Sequence, residues 1–194
     1  MSRETDERAG PAAVIVGALG APADPELEAL LGVVGAGELR AALGARARRW
    51  AAAVAPGQAF EATTLAAAQA ALHEHVGPVL LAAPDVPGLD AGVARAALDD
   101  LAAGCDVAVG VTHDALPYVI AAPSVDSELL ELVSASFRDG LLTAFAERGL
   151  TLGMLRHERR LASAADARAL AIDPLAPADL AGLLRERLPG PPHR

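Results

Sequence analysis

No lysine occurs anywhere in the chain; all 16 basic residues are arginine. That removes two classes of chemistry. A Walker-type phosphate loop needs its lysine on the phosphates, and Schiff-base catalysis, pyridoxal phosphate attachment included, needs a lysine amine. Cysteine is almost as scarce. The single residue, Cys105, rules out an internal disulfide and fits a reducing compartment, so a cytoplasmic location is expected. Aromatic side chains make up only 3% of the chain, so the core has to be built from Ala, Leu and Val. Long apolar runs are missing despite a mean hydropathy of +0.32. Pro, Gly, Asp or Arg interrupts each stretch well short of the roughly 20 residues that a spanning helix needs, so no membrane partner is expected. A basic excess is lacking too. The net charge of −9 is the reverse of the surface that sequence-independent nucleic-acid binding relies on. Residues 1–10 are polar and charged, without the apolar core of a secretory signal.

What is present is an alternation of short apolar runs and helical patterns. The 194 residues suffice for one ordinary domain. We expect frayed ends over 1–10 and 189–194 and a single α/β domain over 11–188. Strands are predicted at 12–16, 59–63, 78–83, 106–111, 118–122 and 150–155. The run at 78–83 is apolar throughout, as a strand buried on both faces should be. A helix is predicted over 25–44, with Leu27, Leu30, Leu31 and Val34 at helical spacing. Gly32, Gly35 and Gly37 weaken it and leave it open to splitting in two. Residues 48–54 read equally as a strand or a helix end. Further helices are predicted after Thr64, over 90–103 with Asp90 as its cap, near 127–135, over 137–148 with Gly149 as its stop, and over 178–188 opened by Pro177. This order implies a three-layer, mainly parallel, Rossmann-like sheet with helices on both faces. Such sheets take ligands outside the carboxyl ends of their strands, which directs attention to the residues after Ala83 and Val111.

Asp85 follows the strongest strand directly. There a carboxylate is placed to hold a divalent cation, or equally to cap a turn, since turns are rich in Asp. Pro84 and Pro87 stiffen the loop around it.

The stretch Val79-Leu80-Leu81-Ala82-Ala83-Pro84-Asp85-Val86-Pro87-Gly88-Leu89 resembles the Asp-x-Pro segment of a bacterial family of GT-A-type glycosyltransferase-like proteins. That family is related to the phospholactate guanylyltransferases and other nucleotidyltransferases. Its members continue with a helix, a strand and an Asp-Gly-Gly-Tyr-type loop into another strand. Here the same order ends in Asp114-Ala115-Leu116-Pro117-Tyr118, with Ala115 and Leu116 in place of the glycines. The resemblance covers about 77–123. It implies a GT-A nucleotide-diphospho-sugar transferase fold and a nucleotide-activated small-molecule donor. It also implies a Mg or Mn ion held by Asp85, a catalytic Asp114, and substrate contacts from Pro87 and Tyr118. Two departures stand against full activity. The loop at 16–24 lacks the Lys and Arg that receive phosphates in the family. The segment 160–166 lacks the two leading aspartates of an Asp-x-Asp-Thr-type motif that supplies a second metal carboxylate. The expectation is a glycosyl- or nucleotidyltransferase-like protein with catalysis weakened or lost, or else a non-catalytic binding or partner module on the same fold.

Other residues read more plainly. His113 beside Asp114 is expected as a solvated loop histidine, His73 and His75 at a helix end, His157 at the surface and Cys105 as a small buried thiol. Gly17 and Gly20 lack the full dinucleotide fingerprint. Arg46, Arg48 and Arg49 form one basic cluster and Arg156, Arg159 and Arg160 another. Both read as salt-bridged surface, but the second would replace missing basic groups if the fold carried it to Asp85. An Ala- and Leu-rich surface helix would allow two copies to pair, so a homodimer is one candidate state.

Overall fold

A computed structural model describes residues 10–22, 24–124, 127–137 and 140–188. Apart from Gly10, the ends expected to fray lie outside the described residues.

Six strands form one sheet: β1 (Ala12–Val16), β2 (Ala59–Ala62), β3 (Val79–Ala82), β4 (Val107–Val111), β5 (Pro117–Ala122) and β6 (Leu152–Met154), in the order β2-β1-β3-β5-β4-β6. β1 runs parallel to β2 and β3, and β4 parallel to β6. β5 is antiparallel to both β3 and β4 because only five residues, 112–116, join it to β4. A connection that short closes a hairpin, whereas a parallel crossover needs a dozen or more residues. Every residue of β1, β3, β4 and β5 is buried, which accounts for their unbroken apolar sequences.

The helices are α1 (Pro25–Val54), α2 (Leu65–Ala71), α3 (Ala91–Ala102), α4 (Ser127–Ser136), α5 (Leu141–Glu147), α6 (Ala164–Ile172) and α7 (Ala178–Arg187). α1 joins the two segments that the sequence left separate. Gly32 alone departs from helical geometry (φ 71°, ψ 160°), and the helix continues through Gly35 and Gly37. A left-handed φ costs glycine little, so the break falls at a glycine. Residues 48–54 are helical; Trp50 and Ala51 are buried there as part of the sheet's core. Thr64 and Asp90 cap α2 and α3 by accepting from the backbone N–H groups of Ala67 (3.1 Å) and Val93 (2.9 Å).

Two apolar clusters hold these layers. The larger surrounds the sheet. The smaller packs Leu27, Leu31, Leu39 and Leu43 of α1 against Leu170, Leu180 and Leu184 of α6 and α7. Leu161 joins this second cluster, which ties the segment before α6 to the carboxyl edge of the sheet. No described helix is long and apolar enough to cross a membrane.

Candidate functional site

The carboxyl ends of β1, β3 and β4 and the start of β5 meet at one edge, as the registers Ile15↔Ala82 and Ala82↔Val119 require. Residues 155–161 run across it. The backbone N–H groups of Leu155, Glu158 and Leu161 donate to the carbonyls of Val109 (3.0 Å), Val111 (3.3 Å) and Asp85 (2.9 Å). The second arginine cluster, distant in sequence from Asp85, is thereby laid over it.

Asp85 and Arg160 form a buried ion pair, in which only Arg160 Nε has no hydrogen-bond partner among the described residues. Arg160 Nη1 lies 2.9 Å from each carboxylate oxygen of Asp85. The same nitrogen donates to the Leu19 carbonyl at 2.9 Å, and Nη2 donates to the Pro117 carbonyl at 3.2 Å. The Ala21 N–H adds a 2.7 Å bond to Asp85 Oδ2. Only 4% of the Arg160 side chain and 15% of the Asp85 side chain are exposed. Three loops thus converge on one buried ion pair: that after β1, that after β3 and that before β5. Charge-assisted bonds of this kind are shorter and stronger than neutral ones.

The cation expected at Asp85 does not fit these residues. Both carboxylate oxygens already accept hydrogen bonds from a buried cationic side chain. Among the described residues, no group of three or more His, Cys, Asp and Glu side chains could hold a metal ion. Asp166, the acid left in the segment where the resemblance placed a second metal carboxylate, closes a capping box with Ser163 at the start of α6.

The remaining expected site residues are spread over two levels. Asp114 is exposed on the β4–β5 hairpin and accepts a hydrogen bond from the buried Thr112 hydroxyl. Ala115 beside it holds a left-handed φ of 62°, so the turn expected of a glycine is kept without one, at a cost of about 1 kcal/mol. Tyr118, in contrast, is fully buried, and its hydroxyl donates to the Arg156 carbonyl at 3.0 Å. Its ring lies against Gly110, where a Cβ would come within 2.5 Å of Cε1. Burial pushes the Tyr118 phenol well above its ordinary range, with Glu158 adding to the rise. Pro87 is buried as well, its carbonyl accepting from Arg46 Nη2 at 3.4 Å. Tyr118 and Pro87, expected as substrate contacts, are thus buried in the scaffold under the loop. A strand position alternates faces but does not say which face carries a second layer, and here both do.

Arg156 is a second clamp. It binds Asp90 (2.8 Å), Glu158 (2.6 Å) and the Gly88 carbonyl (3.0 Å). Burial pushes the Asp90 carboxyl up, but the Arg156 guanidinium and the N–H groups of Val93 and Gly92 outweigh it and hold it below its usual value. In the first arginine cluster Arg48 and Arg49 lie at the surface as expected, paired with Glu61 and Asp179, whereas Arg46, also paired with Asp179, is only 27% exposed. His113 and His157 are exposed and meet edge to face, ring centroids 6.1 Å apart. His73 Nδ1 lies 2.9 Å from the Ala70 carbonyl at the end of α2. Cys105 is partly exposed, less buried than expected, because the turn between α3 and β4 lies at the surface.

Two cavities flank the ion pair. One, of about 250 Å³, is lined by Gly17, Gly20, Ala21, Leu27, Leu43 and Asp85, among others, and is mostly apolar. The other, of about 310 Å³, is lined by His113, Asp114, Arg159, Arg160, Ala162 and Asp166. Ala162 borders both. A third cavity, also of about 310 Å³, opens at the other end of the strands beside Val107, Ala122 and Arg148. The sequence flagged the basic cluster near Asp85. The acceptors Leu19 and Pro117 and the anchor Thr112 carried no sequence signal, since two act through backbone carbonyls and one through a lone hydroxyl.

No family model matches the sequence, and no curated protein matches it. Among solved structures, a candidate nucleotide-diphospho-sugar transferase from Desulfovibrio desulfuricans G20 superposes with a TM-score of 0.66 at 17% identity, over 91% of this chain and 93% of that one. A homolog, from Mycobacterium sp. strain JC1, of the Mycobacterium tuberculosis protein Rv0371c gives 0.49 at 13% identity, over 92% of this chain and 99% of that one. Rv0371c itself, solved as a manganese complex, gives 0.47 at 15% identity, over 82% and 97%. The first of these shows the fold: a six-stranded, mostly parallel sheet flanked by helices, of the nucleotide-diphospho-sugar transferase type.

Proposed function

We propose that the protein binds a nucleotide-activated small-molecule donor at the carboxyl edge of β1 and β3, with transfer to an acceptor weakened or lost. The observation that carries this reading is the placing of Asp85, which faces the loop after β1 in the crevice where open α/β sheets take ligands. The mostly apolar cavity beside it suits a nucleobase. The polar cavity suits phosphates, because a guanidinium such as that of Arg159 grips their oxygens in a fork. Asp114 stands at that second opening, and we assign it contact with the donor or acceptor.

The weakening follows from charge. Cleaving a bond to a diphosphate builds negative charge on the leaving group, which cations must neutralise in place. Arg160 is committed to Asp85, and Arg159 lies 3.9 Å from Asp166. Little positive charge is left to act on a leaving group. The same shortage favours a purely binding role over slow turnover.

Calorimetric titration with nucleoside diphosphates and nucleotide sugars tests the reading. Saturable binding is expected, and Arg159→Ala should weaken it about ten-fold, or roughly 1.4 kcal/mol. A folded protein that binds none of these compounds sinks the proposal. Binding without product formation assigns the non-catalytic role.

A further inference from the structure

We propose that the Arg160 guanidinium is a built-in counter-ion standing where a divalent cation would serve Asp85, so that the site takes its ligand without metal. The ligand half of this inference rests on the proposed donor-binding function. The ion-pair half rests on geometry alone.

A hard divalent cation draws its ligands from carboxylate and backbone carbonyl oxygens at about 2.0 to 2.6 Å. Around Arg160 such oxygens come from three groups: the Asp85 carboxylate and the carbonyls of Leu19 and Pro117. Arg160 has captured all three, through Nη1 to Asp85 and Leu19 and through Nη2 to Pro117. An entering cation would have to expel a side chain that is 4% exposed, or share its oxygens with a like charge already in contact with them. Neither is favourable in a buried setting, where like charges repel far more than in water.

The charge count is also closed. Two carboxylates and a divalent cation sum to zero, and so do one carboxylate and one guanidinium. The segment in which the resemblance expects carboxylates carries Arg at position 160 instead. A guanidinium standing in place of one carboxylate and the cation keeps the edge neutral. A guanidinium also holds its position without exchanging with solvent, so the crevice keeps one shape whatever the metal supply. The cost is that its charge is shared with Asp85 and cannot follow a leaving group.

The test begins with the unaltered protein. Mn²⁺ is titrated while amide signals are followed by NMR, because the Ala21 N–H lies on Asp85 Oδ2 and would be broadened by any ion bound there. We expect Ala21 to be broadened no more than Ala121, buried in β5. Selective loss of the Ala21 signal at substoichiometric Mn²⁺ would overturn the proposal. Nucleotide affinity measured in EDTA and in Mn²⁺ should agree, and affinity about ten-fold tighter in Mn²⁺ would count against it. Arg160→Asp should create a calorimetric Mn²⁺ site that disappears again when combined with Asp85→Asn. If that variant fails to fold, the spectra of the unaltered protein decide. If no nucleotide binds, the donor reading fails, while the Mn²⁺ spectra still decide whether Arg160 keeps the ion from Asp85.

Discussion

Arg156 and Arg160 lie four residues apart in one segment and have opposite environments. Both clamp the loop after β3 to the segment before α6. Arg156 does so from outside, with half of its side chain exposed, through Asp90 and the Gly88 carbonyl, while Glu158 of its own segment pairs with it. Arg160 does so from inside, with 4% exposed, through Asp85 and two carbonyls. Water and salt screen the first clamp, and its members keep their hydration if it opens. The second has no such refuge. Identical chemistry should therefore be worth very different amounts, with burial deciding which clamp defines the shape of the edge.

The largest expected effect follows from breaking the inner clamp one partner at a time. Arg160→Met leaves the Asp85 carboxylate largely buried with a single N–H partner, and we expect a loss of about 3 to 5 kcal/mol in denaturant unfolding. Asp85→Asn in the same background should cost much less than it does alone, because the charge it removes is by then unpaired. If Arg160→Met costs no more than the equivalent change at Arg156, the contrast between the two clamps is false.

A middle-sized effect comes from the hydrogen bond beneath the outer clamp. The Tyr118 hydroxyl holds the Arg156 carbonyl, not its guanidinium, so the backbone at 156 is fixed from below whatever the side chain does. Tyr118→Phe should cost about 1 to 2 kcal/mol. It should also change the alkaline limb of stability. The folded pKa of Tyr118 is raised, mainly by burial. Its contribution is therefore complete below the unfolded value of about 10 and is lost as pH climbs beyond that. With no lysine and one tyrosine in the chain, few other side chains blur that range. Phenolate absorbance should appear together with unfolding, and Tyr118→Phe should flatten the decline. Phenolate forming in a protein still folded would mean that the ring is reachable by water.

The uneven legibility of the sequence follows the same division between inside and outside. The strands at 12–16, 79–82, 107–111 and 117–122 could be read because burial on both faces writes an unbroken apolar run. α6 left little trace in the sequence, since Ala164, Ala167 and Ala171 bury little area and hardly mark a face. Residues 48–54 were undecided for the same reason. At the site, Asp85 was visible as a carboxylate after a strong strand, and Arg160 as one of a basic cluster. Their meeting was conditional on the fold, because 75 residues separate them and no local pattern records a contact at that range. Tyr118 was in step with a loop motif, yet only the layer of chain over residues 155–161 decides that it faces inward.

The smallest expected effect belongs to the outer clamp itself. Arg156→Met should cost less than about 1 kcal/mol, since exposed pairs rarely give more. Its signature lies in pH and salt. The folded pKa of Asp90 is depressed, so the stability it lends is present above the ordinary carboxylate value of about 4 and disappears as pH falls through the lower folded value. Arg156→Met removes the main charge that holds it down, so the acid limb of the unfolding curve should become shallower. The N–H groups of Val93 and Gly92 remain and should keep part of the depression. High salt should narrow the difference between the variant and the parent, as screening acts on an exposed pair, while the deficit of Arg160→Met should barely respond. If salt moved both deficits equally, burial could not be what separates the two arginines, and the inner pair would have to be open to solvent.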